Sequence, residues 1–474
     1  MDRPLLHLTD TDLWTVRDAV GGAVIFGGPG SGKSSGPGRH IALSMLESQM
    51  GGVVLAAKPG EARKWLDYAT ETGRLDDVVV FSPEYPELRI NPLDQELRRV
   101  GRGAGYTANV TSLFEILLEI TEGGRKDGDG EKFWHRATIE LMTHATNVLH
   151  AAGETVSLVN IHELIQSVPR RSEAVDEFHE DIWRDHSYCW QCMARAVGQD
   201  FQDVVPERQQ DLEMAASYLC EEFPRLAERT RGSIIATMKG MALPFLQSPL
   251  REVFGSETTL RLEDIFDHRT ILICDWPLKT FASVGRIANG LMKYLFQVAA
   301  ERRSVGRNTV PAFLFVDEAQ LFITSRDAEF MATARESRIC TTFITQNISN
   351  LYSAVRAPNA KHVVDSLLAN FNTKCFAANS DALTNRWAAD LIAQSWQLMA
   401  GSSTTTGQQA STGATLNQQL AYRILPGEFL TLQTGGPPEF LVESIVAQGG
   451  RVFHHTDAPY GRIVFPQEPE RSPR

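Results

Sequence analysis

The chain has 474 residues, 43% of them hydrophobic, and its 46 lysines and arginines against 58 acidic residues give a formal net charge of −12. This length allows one large core or two to three domains. The acidic balance excludes a basic coat for nucleic acid, so any DNA contact needs a local patch or channel lining.

The six cysteines are too dispersed for a disulfide framework, which favours a reducing compartment. No run approaches the roughly 18 apolar residues of a membrane helix, and the amino terminus is not typical of a signal peptide. We therefore expect a cytoplasmic protein.

The first predicted core strand, at residues 23–26, runs into the glycine-rich turn "GGPGSGKSS" at 27–35. The turn fits G-x-x-x-x-G-K-[ST], and a helix is predicted to follow from His40. A strand, a glycine turn and a helix in this order leave several backbone N–H groups without partners beside the positive end of the helix dipole, which makes an anion site. The pattern predicts that the phosphates of ATP are bound by Gly28, Pro29, Gly30, Ser31, Gly32, Lys33, Ser34 and Ser35.

Two residues of this turn have distinct expected roles. Lys33 should reach the β- and γ-phosphates, and the Ser34 hydroxyl should bind Mg²⁺. Pro37 lies about one turn into the predicted helix, where a proline removes a donor and obstructs the preceding turn. We expect it to delay or bend the start of that helix.

The predicted elements alternate in a way that is typical of an α/β fold with a mostly parallel sheet. Strands are predicted at 51–58 and 76–82, and more follow after residue 268. From residue 105 to 250 the pattern is helical throughout. We therefore predict a nucleotide-binding domain in two parts, 1–104 and 251–474, interrupted by an all-α insertion domain at 105–250.

The second half of the site is predicted from two buried strands that end in polar residues. "VPAFLFVDEAQ" at 310–320 places Asp317 at the carboxyl end of a strand, where parallel sheets bind ligands, and Asp317 is expected to hold Mg²⁺. Glu318 beside it is expected to activate the attacking water. Gln346 ends the strand at 338–347, where it either reports the state of the γ-phosphate or merely caps the strand.

Phosphoryl transfer also benefits from an arginine supplied by a neighbouring subunit, which neutralises charge in the transition state. Arg335 is the first candidate, with Arg338, Arg229 and Arg231 as further ones. Ordinary surface ion pairing is the alternative for each of them.

Several remaining segments carry weaker signals. A further strand is predicted at 372–378, and the Ser/Thr/Gln-rich stretch 401–419 is predicted to be a mobile loop. The tail is predicted to form short strands at 428–436 and 439–446. Cys189 and Cys192 are interpreted as helix packing, with a zinc site involving His179 or His186 as the alternative. The acidic run at 172–186 is read as a solvated helix face or a docking surface for a basic partner.

Eight stretches of the sequence follow one another in an order that is typical of one known family: GGPGSGKSS, KPGE, INPL, the FW that opens the helical insertion, ERTRGSI, FLFVDEAQ, ARESRICTTFITQN and RILPGEFLTLQTGG. Together they resemble the type IV secretion coupling proteins (TraD/TraG-like), within the FtsK/HerA group of hexameric translocases. The resemblance extends from about residue 21 to 445. The two phosphate motifs are shared by very many NTPases, whereas KPGE, INPL and the tail are more discriminating.

The resemblance implies a RecA-like P-loop core in a ring, usually of six subunits, with ATP and Mg²⁺ between neighbours and DNA passing through the centre. We expect the DNA to be single-stranded. The helical insertion would recognise relaxosome or effector proteins. Residues at family positions of the nucleotide site are Lys33, Ser34, Asp317, Glu318 and Gln346. Arg335 matches the candidate arginine that acts in the neighbouring subunit.

The chain also departs from the family pattern. The family usually carries amino-terminal membrane helices that are not found here, which leaves membrane contact open. Ala57 stands where the family often has an aspartate, and Arg338 replaces a usual glycine. Two alternatives therefore remain beside a conjugative DNA translocase: a soluble DNA-processing or defence motor of the same group, and a recruitment ATPase that delivers proteins.

Overall fold

The fold is taken from a computed structural model, which describes residues 1–100, 104–121, 129–170, 183–198, 206–306, 309–355, 359–405 and 411–468. Thirteen strands occur in this part of the chain: β1 (Pro4–His7), β2 (Leu13–Thr15), β3 (Ala23–Phe26), β4 (Gly52–Ala56), β5 (Val78–Phe81), β6 (Ile271–Asp275), β7 (Ala312–Val316), β8 (Ile339–Thr345), β9 (Thr373–Phe376), β10 (Gln394–Thr405), β11 (Ser411–Tyr422), β12 (Leu441–Gln448) and β13 (Tyr460–Pro466).

Nine of these strands form one sheet in the order β13-β12-β9-β3-β8-β7-β4-β6-β5. The pairs from β9 to β5 are all parallel. β12 and β13 are added antiparallel at one edge. The predicted mostly parallel sheet is therefore confirmed.

The central strands are buried on both faces. Every residue of β3, β4, β7 and β8 is buried, and successive side chains point to opposite faces of a strand. In β3, Val24 and Phe26 belong to one apolar cluster and Ile25 belongs to the other. Burial on both faces explains why these strands read as unbroken apolar runs.

The helices that cover the sheet come from the parts of the chain before β5 and after β6. They are Val16–Ala19, Arg39–Glu47, Glu61–Glu71, Leu278–Arg302, Arg326–Thr333, Ile348–Ala354, Ala360–Asn370 and Ala382–Ile392. The helix Leu278–Arg302 is interrupted at Ala282, whose φ of 48° and ψ of −121° are not helical.

The chain between β5 and β6 forms a succession of helices, although these two strands are hydrogen-bonded neighbours. The α-helices are Pro92–Arg98, Thr107–Thr121, Asp129–Ala151, Leu158–Gln166, Tyr188–Gly198, Pro206–Ser217, Phe223–Arg225, Glu228–Ala242, Leu250–Phe254 and Asp264–Asp267. No strand occurs in the described parts of this stretch, which agrees with its predicted helical character. The boundaries at residues 105 and 250 remain predictions.

Two expectations for the carboxyl-terminal part are wrong. In the described parts of the predicted loop 401–419, β10 and β11 pair in register as a two-stranded antiparallel ribbon, from Gln394 with Tyr422 to Thr405 with Ser411. Residues 406–410 lie outside the described ranges. At 428–436 the chain forms a 3₁₀ turn, Glu428–Leu430, and a single bridge from Thr434 to Val442 rather than a strand. The neighbouring prediction at 439–446 corresponds to β12.

The paired cysteines lie inside the helical stretch. Cys189 and Cys192 are buried on the helix Tyr188–Gly198, and both are free thiols. Within the described ranges no three metal-binding side chains come together. His179 and most of the acidic run at 172–186 lie outside those ranges. Nor does any helix there have the length and apolar character needed to cross a membrane.

Candidate nucleotide-binding site

The predicted site residues meet at one edge of the sheet. The glycine turn follows β3, Asp317 and Glu318 follow β7, and Gln346 follows β8. These three strands are parallel neighbours in the order β3-β8-β7, so their carboxyl ends share an edge. β4 lies on the far side of β7 and brings Lys58 to the same edge.

The turn is shaped by glycines that no other residue would replace easily. Gly30 and Gly32 have φ values of 72° and 76°, in the left-handed region that favours glycine. A Cβ at Gly32 would lie 2.4 Å from Val442 Cγ2. In the described chain the amides of Gly30, Gly32 and Lys33 donate to no backbone acceptor, which leaves these donors for a ligand.

Pro37 changes the start of the following helix, as predicted. Residues Ser34–Gly38 form a π-helical turn before the α-helix Arg39–Glu47 begins. The Gly38 amide donates to the Lys33 carbonyl over 3.0 Å, the longer spacing that defines such a turn. Since proline has no N–H to donate, the wider turn accommodates it without an α-helical bond. Ser35 is exposed, and its hydroxyl accepts a 2.6 Å hydrogen bond from Gln467.

Ser34 and Asp317 are in direct contact. The Ser34 hydroxyl donates to Asp317 Oδ2 over 3.0 Å, although the two residues are 283 positions apart. Lys33 is 7% exposed. Burial lowers the pKa of Lys33, while the charges of Glu318 and Asp317 oppose that shift. The structure thus brings together the lysine, the serine and the acids that the sequence predicted.

A second lysine, Lys58, lies between the two acids. Its Nζ is 3.3 Å from Asp317 Oδ2 and 2.5 Å from Glu318 Oε1. Burial alone would lower the pKa of Lys58, but Asp317 and Glu318 outweigh it and the pKa is raised. No role was expected for Lys58 from the sequence, because the KPGE stretch contributed only to the family resemblance. Lys58 follows the buried strand β4 by two residues, but its contact with the acids depends on β4 lying beside β7.

Glu318 is held in an unusual conformation by several donors. Its φ of 51° and ψ of 47° are left-handed, which costs a residue with a side chain on the order of 1 kcal/mol. Gln320 and Gln346 both donate to Glu318 Oε2, Gln346 over 3.2 Å. Burial would raise the pKa of Glu318, but the hydrogen bonds from Lys58 and Gln320 keep it below the usual value.

Gln346 is hydrogen-bonded to residues that follow two other strands of the sheet, β7 and β9. Besides its bond to Glu318, its backbone carbonyl accepts a 2.8 Å hydrogen bond from Asn379. Gln320, a residue that sequence reasoning missed, accepts from the Thr345 hydroxyl over 2.8 Å. Side-chain hydrogen bonds therefore join the ends of β7, β8 and β9.

Glu61 is a third acid beside the site. Its Oε2 accepts from the backbone amides of Ala57 and Lys58 over 2.9 and 3.2 Å. Burial and, second, the charge of Asp317 raise the pKa of Glu61 to about 8. It fixes the backbone that carries Lys58.

Arg335 is not brought to this edge. It precedes β8 and so lies at the amino ends of the parallel strands, exposed on the rim of a groove of about 850 Å³ that Arg17, Lys374 and Arg451 also line. β8 has seven residues, which at about 3.3 Å each separate Arg335 from Glu318 by roughly 20 Å.

The other candidate arginines also lie away from the phosphate turn. Arg229 and Arg231 are on the helix Glu228–Ala242, which packs against the helix Asp129–Ala151. Arg338 donates to the Thr309 carbonyl over 2.7 Å and has a φ of 51°. That positive φ lies in the left-handed region that favours glycine, the residue that the family resemblance led us to expect at this position.

The residues present fit a nucleotide with Mg²⁺. Ser31 Oγ is buried and has no hydrogen-bond partner, and the cradle at Gly32 would be filled by any Cβ. A hydroxyl and a carboxylate oxygen that already meet, from Ser34 and Asp317, are the ligand types that Mg²⁺ prefers.

One family model matches most of the chain. The family model described as type IV secretory system conjugative DNA transfer matches residues 9–435. A comparison with curated proteins gave no significant match.

Several solved structures have a fold similar to that of this chain. The unbound monoclinic form of the bacterial conjugative coupling protein TrwBΔN70 has a TM-score of 0.59 at 13% identity, over 95% of this chain and 85% of that one. TrwB with the GTP analogue GDPNP gives 0.57 at 14% identity, over 95% and 86% of the two chains. TrwB with ADP and Mg²⁺ gives 0.58 at 12% identity, over 96% and 87%. The predicted α/β fold is confirmed by these likenesses. With the family match over most of its length, the chain belongs to the type IV secretory system conjugative DNA transfer family, as the sequence resemblance predicted.

Proposed function

We propose that this chain is an ATP-hydrolysing motor that moves DNA, or a DNA–protein complex, during conjugation. The observation that carries the proposal is the meeting of the two phosphate motifs: Ser34 donates to Asp317 over 3.0 Å, with Lys33 buried beside both acids. The parallel strands β3, β8 and β7 bring these two segments, almost three hundred residues apart, to one glycine cradle, as a shared nucleotide would require.

The residues divide the chemistry between them. The free amides of the cradle and the ammonium of Lys33 would bind the phosphates of ATP. Ser34 and Asp317 would hold Mg²⁺, which neutralises phosphate charge when bound. Glu318 would accept the proton of the attacking water. Gln346, which already donates to Glu318, would orient that water and pass the state of the site to β8.

Arg335 would act in a neighbouring subunit. At roughly 20 Å from Glu318 it is too far to reach the nucleotide of its own chain, but its exposed side chain is available to a partner. This arrangement supports a ring, with six subunits as the proposed number. Each nucleotide would lie between one chain's cradle and the next chain's Arg335.

DNA, single-stranded in our proposal, would pass through the centre of the ring. Because the chain is acidic overall, its contacts would come from a few basic side chains repeated around the channel. The helical stretch between β5 and β6 would recruit relaxosome or effector proteins. The motor would work in the cytoplasm and reach the inner membrane through partners.

The proposal is tested by steady-state ATPase rates with no DNA, single-stranded DNA and double-stranded DNA, each over a range of protein concentrations. We expect single-stranded DNA to raise the rate, and the rate per subunit to rise with concentration as rings assemble. Glu318→Gln provides the inactive control. Glu163→Gln provides the matched one, because Glu163 is an exposed acid on the helix Leu158–Gln166.

Two results would refute parts of the proposal. Flat rates under all conditions would exclude a DNA motor. Hydrolysis that ignores DNA but responds to a basic partner protein would favour the recruitment ATPase instead.

A further inference from the structure

Lys58 contacts the carboxylate oxygen that would help to hold a metal ion. Its Nζ and the Ser34 hydroxyl approach the same oxygen, Asp317 Oδ2, over 3.3 and 3.0 Å. The same ammonium contacts Glu318 Oε1 at 2.5 Å. The acids are nearly buried, with 7% and 8% of their side chains exposed, so their negative charges need a cation close by.

An ammonium and a magnesium ion cannot share this position. Mg²⁺ binds its oxygen ligands at about 2.0–2.1 Å, so an ion held by Ser34 and Asp317 would lie within a few ångströms of Lys58 Nζ. At such a separation the two positive charges repel each other strongly, because a partly buried site screens them less than water does. One cation must therefore leave when the other enters.

The surroundings of Lys58 allow its side chain to move while its backbone stays fixed. Glu61 accepts from the amides of Ala57 and Lys58 and so anchors the peptide. The Lys58 side chain itself is 44% exposed and has a route to solvent. The long, flexible stem of a lysine suits this exchange, since its ammonium is a point charge on four rotatable bonds.

We propose that Lys58 is a built-in counter-ion, which neutralises Asp317 and Glu318 in the nucleotide-free protein and is displaced when Mg²⁺ arrives with the nucleotide. The proposal rests on the nucleotide site described above. In the structure Glu318 Oε1 contacts Lys58, and Glu318 Oε2 accepts hydrogen bonds from Gln320 and Gln346. Lys58 is thus a positioning residue: it keeps the acid engaged until a nucleotide is present, and it prevents Mg²⁺ from binding alone.

The test measures binding of a metal without nucleotide. Mn²⁺, a paramagnetic substitute for Mg²⁺, is titrated against the full chain and its free fraction is followed by electron paramagnetic resonance. Lys58→Met removes the charge and keeps an unbranched side chain, and Lys58→Gln does so with a polar one. Lys64→Met is the matched control, because Lys64 is an exposed lysine on the next helix.

We expect both Lys58 variants to bind Mn²⁺ about tenfold or more tightly than the wild type, the lower end of the effect of one adjacent charge. The Lys64 variant should match the wild type. In EDTA the Lys58 variants should melt at a lower temperature than the wild type, and Mn²⁺ should restore them.

Unchanged or weaker Mn²⁺ binding by both Lys58 variants would overturn the proposal, since an ordinary ion pair or a nucleotide ligand has no reason to exclude the metal. Should one variant fail to fold, the other decides the matter, and Lys58→Arg, which keeps the charge, should retain weak Mn²⁺ binding. The proposed function is tested separately: it would be contradicted if the wild-type chain bound no nucleotide in the presence of Mg²⁺. The Mn²⁺ titration contains no nucleotide, so its outcome does not depend on that result.

Discussion

Lys374 allows the energetics of the fold to be tested with one substitution. It lies in β9, is 7% exposed, and donates to the Phe371 carbonyl through its Nζ. Burial lowers the pKa of Lys374 from 10.5 to about 8. We expect Lys374→Met to stabilise the protein at neutral pH, because methionine fills a similar volume without a charge.

The sign of the pH dependence follows from the direction of that shift. Between pH 8 and 10.5 the folded state holds fewer protons on Lys374 than the unfolded state does, so wild-type stability rises with pH across this window. Below pH 8 the cost of the buried charge is fully present. Above pH 10.5 it is absent, and the advantage of methionine disappears.

The magnitude follows from the same values. At about 1.4 kcal/mol per pKa unit, the fall from 10.5 to about 8 costs the folded state roughly 3 kcal/mol. Methionine gives up the hydrogen bond to Phe371, which contributes about 1 kcal/mol, so the net gain is about 2 kcal/mol. With an unfolding entropy of about 2 cal/mol/K per residue, the melting temperature should rise by about 2 °C at pH 7.

Differential scanning calorimetry at pH 7 and pH 10 measures this effect. Lys279→Met is the control, because Lys279 is exposed and should show neither the gain nor its pH dependence. A lower melting temperature for Lys374→Met at pH 7, or a difference that is equal at both pH values, would refute the reasoning.

Three further predictions concern the nucleotide site. Glu318→Gln should lower kcat by a factor of about 10² to 10⁴ and leave the Kd for a fluorescent ATP analogue nearly unchanged; loss of binding as well would contradict its role as a base. Arg335→Ala and Lys33→Ala should each be inactive, and the arginine variant should lose a factor of about 10³ or more in kcat. Mixing the two variants should restore hydrolysis, because the Arg335 variant supplies an intact cradle and the Lys33 variant supplies the arginine. If the mixture shows no recovery, Arg335 does not act between subunits. Gly32→Ala should abolish nucleotide binding measured by fluorescence, and the added truncation Val442→Ala should not rescue it, because the φ of 76° remains; a rescue would show that crowding alone excludes the side chain.

Much of the site could be predicted because its residues follow local rules. Lys33 and Ser34 belong to a turn whose spacing is set by phosphate geometry, and Asp317 ends a run of buried residues. Each is recognised from its own neighbours in the sequence. Lys58 is different: its contact with Asp317 exists because β4 lies beside β7, and that strand order is a tertiary property.

The ribbon of β10 and β11 escaped prediction for another physical reason. A strand that packs on a core buries its apolar side chains, but the apolar side chains of this ribbon are exposed: Trp396 is 69% exposed and Leu416 is 71% exposed. Its order comes from backbone pairing. A stretch rich in Ser, Thr and Gln without alternation is then indistinguishable by composition from a mobile loop.

The placement of the helical stretch between β5 and β6 limits how the protein can be engineered. These strands are parallel neighbours, so the chain leaves β5 at the carboxyl rim and must re-enter β6 at the amino rim, about 15 Å away for strands of this length. Excising the helices and joining the cut ends with a tight turn would leave β6 out of reach. A transplant or deletion therefore has to supply a spacer that crosses the sheet. A force on the helices would likewise act on both ends of their attachment, at the carboxyl end of β5 and the amino end of β6.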